Sequence, residues 1–150
     1  MSVFTRFKRD PSGFRALIEL WESTPRVRRE KMIEKGMDED AAFTREALKY
    51  LLTFEDIVGF SDEELTELLK VTPERLVGIA IRSLSPAQQE RFIKNAKSTA
   101  RLEIRDTTDI AFSLKEVGGA QLKLVAYARE LEKKGRIRTK AIPPSGYGLY

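Results

Sequence analysis

Leu51-Leu52-Thr53-Phe54-Glu55-Asp56-Ile57-Val58-Gly59-Phe60-Ser61-Asp62-Glu63-Glu64-Leu65-Thr66-Glu67-Leu68-Leu69 holds a helix end, a tight corner and a new helix in one short run. Thr53 is placed to cap a short acidic turn, and Gly59 stops it. Ser61 and Glu64 have the spacing of a capping box, in which the hydroxyl accepts from a first-turn amide and the carboxylate reaches back to the cap amide. Leu65, Leu68 and Leu69 then mark one apolar face. The segments on either side are therefore helical units that meet at this corner.

Upstream, Phe14, Leu17, Ile18 and Trp21 recur at i, i+3, i+4 and i+7, the period of a helix with one buried side; Trp21 belongs to the core. Before them, residues 1–13 form an arm that carries Arg6, Lys8 and Arg9 with Phe4 and Phe7 and ends in the turn cluster Asp10-Pro11-Ser12-Gly13. Two readings of the arm stay open, a cover for an exposed helix face or a disordered lead. Thr24-Pro25 opens the next helix as a cap followed by proline in the first turn. Arg26, Arg28, Arg29 and Lys31 lie on several of its faces, either as a solvated basic surface or as a patch for an anion or a protein. Gly36 is expected to end this helix and Asp38 to start another, running through Ala41, Ala42 and Leu48 to the corner.

Downstream, Thr72-Pro73 repeats the cap-plus-proline start, with Leu76, Val77, Ala80, Ile81 and Leu84 on one face. Ser85-Pro86-Ala87-Gln88 repeats it as a capping box, and Ser98 is a plausible restart. Arg101 to Asp109 is a charge-dense helix on which residues four apart are neighbours. Ser113 with Glu116 makes the last box, opening a helix through Val117, Leu124, Val125, Ala128 and Leu131 that stops at Gly135. No stretch alternates with period two, so the chain reads as all-α. The expected organisation is a flexible arm over 1–13 and armadillo-like helices over 14–84, hinged near 51–60. A compact helical bundle over 85–138 and a disordered Pro/Gly-rich tail over 139–150 complete it.

Composition narrows the chemistry. The 150 residues contain no cysteine and no histidine, which excludes disulfides, thiolate nucleophiles, His-based metal sites and Ser-His-Asp triads. Glu55, Asp56, Asp62, Glu63 and Glu64 read as acids at helix starts, where the dipole favours them, and they lack calcium-loop spacing. The reading is therefore a non-enzyme without cofactor or metal. No apolar run approaches the length of a membrane span. With 27 basic against 23 acidic residues the net charge is +4, and the basic run from Lys133 to Lys140 lacks the interleaved aromatics of a nucleic-acid site. Nucleic acid is not an expected partner.

From about Leu17 to Thr139 the chain resembles the C-terminal region of the FliG family, rotor proteins of the bacterial flagellar motor switch. LLTFEDIVGFSDEELTELL is similar to that family's Met-Phe-x-Phe-Glu-Asp hinge and following helix, with Leu51 and Leu52 in place of Met-Phe. Leu76 to Ser98 is similar to its Leu-Ala-Leu-Ala-Leu-Lys segment and the Arg-Glu-Lys-Phe-x-x-Asn-Met-Ser after it. Ile104-Arg105-Asp106 matches its Leu-Arg-Asp-Asp, and Leu114 to Ile137 matches its last helix.

The resemblance implies a hinge at Leu51, Leu52, Thr53 and Phe54 and a row of charges that engages the stator's cytoplasmic loop or other switch subunits. Carried over by position, those charges are Arg82 and Asp106, with Arg101, Arg105 and Asp109 as substitutes where Thr99, Thr107 and Ser113 replace family charges. It also implies a cytoplasmic protein, peripheral at the inner membrane and tied to it only through the basal body. The middle-domain Glu-His-Pro-Gln signature is absent, so the chain is expected to be either an excised fragment or a short diverged relative, and Met1 with its non-family arm inclines toward the second. An alternative is a helical adaptor or scaffold of a motility or secretion assembly that has lost torque generation. Helices 14–52 lack the preceding helices on which the family stacks them. Phe14, Leu17, Ile18 and Trp21 are then expected to be covered by the arm or by self-association.

Overall fold

The computed structural model describes residues 7–10 and 12–143. All its regular elements are helical, and no strand occurs among the described residues. The chain forms two compact units, one from Met1–Leu52 with Lys140–Tyr150 and one from Thr53–Thr139. The helices over 54–84, assigned by the sequence reading to the first stack, thus share a unit with those of the bundle.

In the first unit, a helical turn at 7–9 precedes α1 (Gly13–Ser23), α2 (Arg26–Glu39) and α3 (Ala41–Leu48). Phe14, Leu17, Ile18 and Trp21 meet Phe43, Ala47 and Ile142 in one apolar core, with Phe7, Met32, Ile33, Leu48, Tyr50 and Leu51 at its margin. Phe14 sets its ring edge-on to Phe43 and Tyr50 at 5.8 and 5.9 Å, a geometry the ring quadrupoles favour. The apolar face of α1 is therefore covered from within the chain, by Phe43 and Ala47 of α3 and by Ile142, with the arm's Phe7 at the margin. That coverage removes the uncovered face from which self-association through 14–52 was inferred. It also corrects the expectation for the tail, since Ile142 is 4% exposed and its carbonyl accepts from Arg15 at 3.4 Å. Residues 1–6, 11 and 144–150, covered by the arm and tail expectations, lie outside the described residues.

Several boundaries differ from the sequence reading. Gly36 does not stop α2, which runs on to Glu39; Asp40, not Asp38, caps α3 by accepting from the Phe43 amide at 3.1 Å. Gly36 is instead the one buried residue of α2. Thr24 does not cap α2 either: its hydroxyl donates back to the Leu20 carbonyl at 2.6 Å, and Thr72 does the same to Leu68 at 2.7 Å. Each Thr-Pro pair thus closes the helix before it.

The second unit holds α4 (Phe54–Val58), α5 (Asp62–Val71), α6 (Glu74–Ala80), a 3-10 turn (Ile81–Ser83), α7 (Pro86–Asn95), α8 (Arg101–Thr108) and α9 (Leu114–Lys133). The long α9 packs on α4, α5 and α6, while α6 lies against α8 and α5 against α7. Leu65, Leu68, Val77, Ile81, Phe92, Ile104 and Leu124 are buried between them. Both Ser85–Gln88 and Ser113–Glu116 form complete capping boxes. Ser98 caps nothing, since α8 begins after Ala100 without a side-chain cap. At the end of α9, Gly135 adopts φ 73°, and the amides of Gly135 and Arg136 donate to Glu132 and Leu131 at 3.0 and 2.9 Å. This is a Schellman turn, whose left-handed residue glycine occupies without Cβ strain. No described helix is long and apolar enough to cross a membrane.

Candidate functional site

α8 is built to be held from beneath. Ile104 and Thr107 are each 1% exposed, and α6 meets them at Gly78, where a Cβ would lie 2.4 Å from that of Thr107. Around this contact the arginines act as staples. Arg101 donates to the Lys94 and Ala96 carbonyls at 3.1 and 3.2 Å, bringing a cation to the C-terminal end of α7, where unpaired carbonyls and the dipole favour it. Arg105 makes a two-pronged pair with Glu90 of α7 at 2.9 and 2.7 Å. That hydrogen bonding lowers the Glu90 pKa and raises that of Arg105. Arg82 donates to the Thr108 carbonyl and caps α8 in the same manner.

The turn that carries Arg82 is pinned in its own right. Gln89 donates to the Ile81 carbonyl at 3.0 Å, and Gln121 donates to the Ala80 carbonyl and the Ser83 hydroxyl at 2.9 and 2.8 Å. Of the five charges expected to face a partner, Arg82, Arg101 and Arg105 are therefore committed to internal contacts. Asp106 and Asp109 are exposed and have no side-chain partner among the described residues. Leu102, 70% exposed, precedes them by four and seven residues, so the three share the outer stripe of α8. Sequence reasoning missed Leu102, because an exposed leucine in a helix carries no signal until burial is known.

The expected hinge residues fall on the division between the units, which lies between Leu52 and Thr53. Leu52 is fully buried, and its amide donates at 2.8 Å to Glu22, itself 4% exposed. Thr53 is half of a complete capping box with Asp56, whose carboxylate accepts the Thr53 amide at 2.9 Å. Thr53 was legible as a cap, whereas the return bond from Asp56 was not read and the role of Glu22 had no sequence signal. Phe54 stacks on Phe92 at 6.3 Å. The Ser61–Glu64 box is corrected: Ser61 accepts the Glu64 amide at 3.1 Å, but the carboxylate turns away to the amides of Arg138 and Thr139. No group of three metal-ligating side chains occurs among the described residues.

Residues 34–138 match the family described as the FliG C-terminal domain. The flagellar motor switch protein FliG of Helicobacter pylori is 24% identical over 141 residues, covering 93% of this chain and 41% of that protein. FliG of Thermotoga maritima is 25% identical over 127 residues, covering 83% and 38%. The crystal structure of FliG residues 86-343 from H. pylori is similar in fold, with TM-score 0.63 and 23% identity over 84% of this chain and 60% of that one. Full-length FliG from Aquifex aeolicus gives TM-score 0.54 and 23% identity over 84% and 40%. The chain spans about two fifths of the length of the curated relatives it matches. Since the match runs over well more than half of the sequence and the helical fold agrees with it, the chain belongs to the FliG C-terminal domain family.

Proposed function

We propose that the chain is a non-catalytic, rotor-type component of a flagellar motor switch, on the cytoplasmic side of the basal body, and that α8 meets its partner through Asp106 and Asp109. The observation that carries this reading is the division of labour on α8: its arginines are spent on anchoring, which leaves two carboxylates outward and unpaired. Such a surface fits a cationic loop of a stator-type protein. Exposed ion pairs contribute about 0.2 to 1 kcal/mol each, so two give roughly 2 kcal/mol at most. Binding is then weak, and falls as salt screens the charges. A neighbouring switch subunit is a second candidate partner for the same face. The hinge reading for 51–54 is supported by the position of the unit boundary.

The test is binding to a stator-type cytoplasmic loop, with motility complementation, for Asp106→Arg and Asp109→Arg. Loss in each variant and rescue by an opposite charge change on the partner is the expected result. Indifference to both would leave the adaptor reading in place. Arg105→Glu serves as contrast, since it acts first on the Glu90 anchor and is not rescued by a change on the partner.

A further inference from the structure

α2 carries its charges in the wrong order at both ends. Its first turn has Arg26, Arg28 and Arg29 and no acid, and its last turn has Asp38 and Glu39 and no base. This order is the reverse of what the macrodipole favours. By contrast, α4, α5 and α9 open on acids beneath side-chain caps, while α2 opens on Pro25 with no such cap. Burial holds its inner side alone, through Gly36 and the half-buried Met32 and Ile33 at the core margin, and gives the outward cations no role there. A helix built against its own electrostatics points to a requirement other than stability.

The cations themselves support that inference. Arg26 pairs with Glu30 at 3.0 Å, but Arg28, Lys31 and Lys35 are exposed and have no ion-pair partner among the described residues. Their spacing of i, i+3 and i+7 puts them in one stripe. Val27, 71% exposed, stands on the same outer side, as do Glu34 and Asp38.

We propose that the outer face of α2 is a docking face for an acidic helical segment of a partner protein, held by Arg28, Lys31 and Lys35. Charge complementarity selects the partner's sign, and the remaining groups select its class. A nucleic acid presents uniform negative charge, which Glu34 and Asp38 oppose, and α2 has no aromatic side chain on which a base can stack. A peptide helix with acids three and four apart meets the basic stripe and sets an apolar side chain against Val27. This face lies in the first unit, has the opposite sign to the α8 face and does not depend on the motor-switch reading.

The experiment uses the full chain and a fluorescent helical peptide with glutamates at i, i+3 and i+4 spacing and one leucine face. Anisotropy is read for wild type and for the double variant Arg28→Glu, Lys31→Glu, alongside thermal melts of both. The expected result is salt-sensitive binding that weakens at least about tenfold in the double variant. That variant should melt no lower than wild type, because acids now occupy the positive end of the dipole. A wild-type chain that ignores the peptide, a double variant that still binds it or melts below wild type, or a DNA duplex of equal charge bound as tightly, would each overturn the proposal.

Discussion

Two sets of donors lie within reach of the Glu64 carboxylate, and the choice between them decides how the chain leaves the second unit. The Ser61 amide stands at an exposed helix start, open to solvent. The amides of Arg138 and Thr139 and the Thr139 hydroxyl instead converge on Glu64 at 2.8, 3.2 and 2.5 Å. Burial acts to raise the Glu64 pKa, but the hydrogen bonds from the Thr139 hydroxyl and from the two amides outweigh it and hold the group below its ordinary value. A depressed folded-state pKa adds stability that is fully present above the unfolded value and is lost as pH falls through the folded one. Urea midpoints of the wild type should therefore decline below about pH 4.3, and Glu64→Gln should lose that part of the acid dependence while staying folded at pH 7. Identical acid profiles for the two proteins would contradict this.

Among the elements, α8 depends on a close approach. Its Thr107 leaves no room above Gly78 for a side chain, and the Ile104 carbonyl closes the gap further, 3.1 Å from where a Cβ would lie. Gly78→Ala should cost about 1 to 3 kcal/mol by overpacking and displace α8 from Arg82, weakening partner binding through position and not charge. A double-mutant cycle with Thr107→Gly, which removes the clashing Cβ, should show strong coupling in denaturant melts. Additive effects would refute the contact. The same scale explains the two kinds of proline start. Ser85 precedes Pro86 and caps forward, whereas Thr24 and Thr72 bond backward to a carbonyl four residues earlier. In both Thr-Pro cases the helix begins only after the proline, beyond the threonine's reach.

For the molecule as a whole, the path of the chain matters more than any one helix. After the Gly135 turn the backbone passes Glu64, and the first unit takes up residues from Lys140 onward. There Ile142 completes the core of Phe14, Leu17, Ile18 and Trp21. Ile142→Ala should destabilise by about 2 to 5 kcal/mol. Hydrogen exchange should register the loss in the amides of α1 and α3 before those of α9. Equal acceleration throughout would mean that Ile142 is no part of the first core.

The sequence by itself determined the helical class, the starts at Ser61, Ser85 and Ser113, the burial of Trp21 and the corner at Thr53, because caps and apolar periods are made within one or two turns of chain. It also placed five charges in and around α8. Only the tertiary structure decided which of them are anchors and which face outward, since Arg82 and Arg105 find their acceptors 26 and 15 residues away. Likewise Glu22 reaches an amide 30 residues on, and Glu64 one 75 residues on. A side chain with a free donor or acceptor takes the partner that folding brings to it, and the energy of that bond does not depend on separation along the chain.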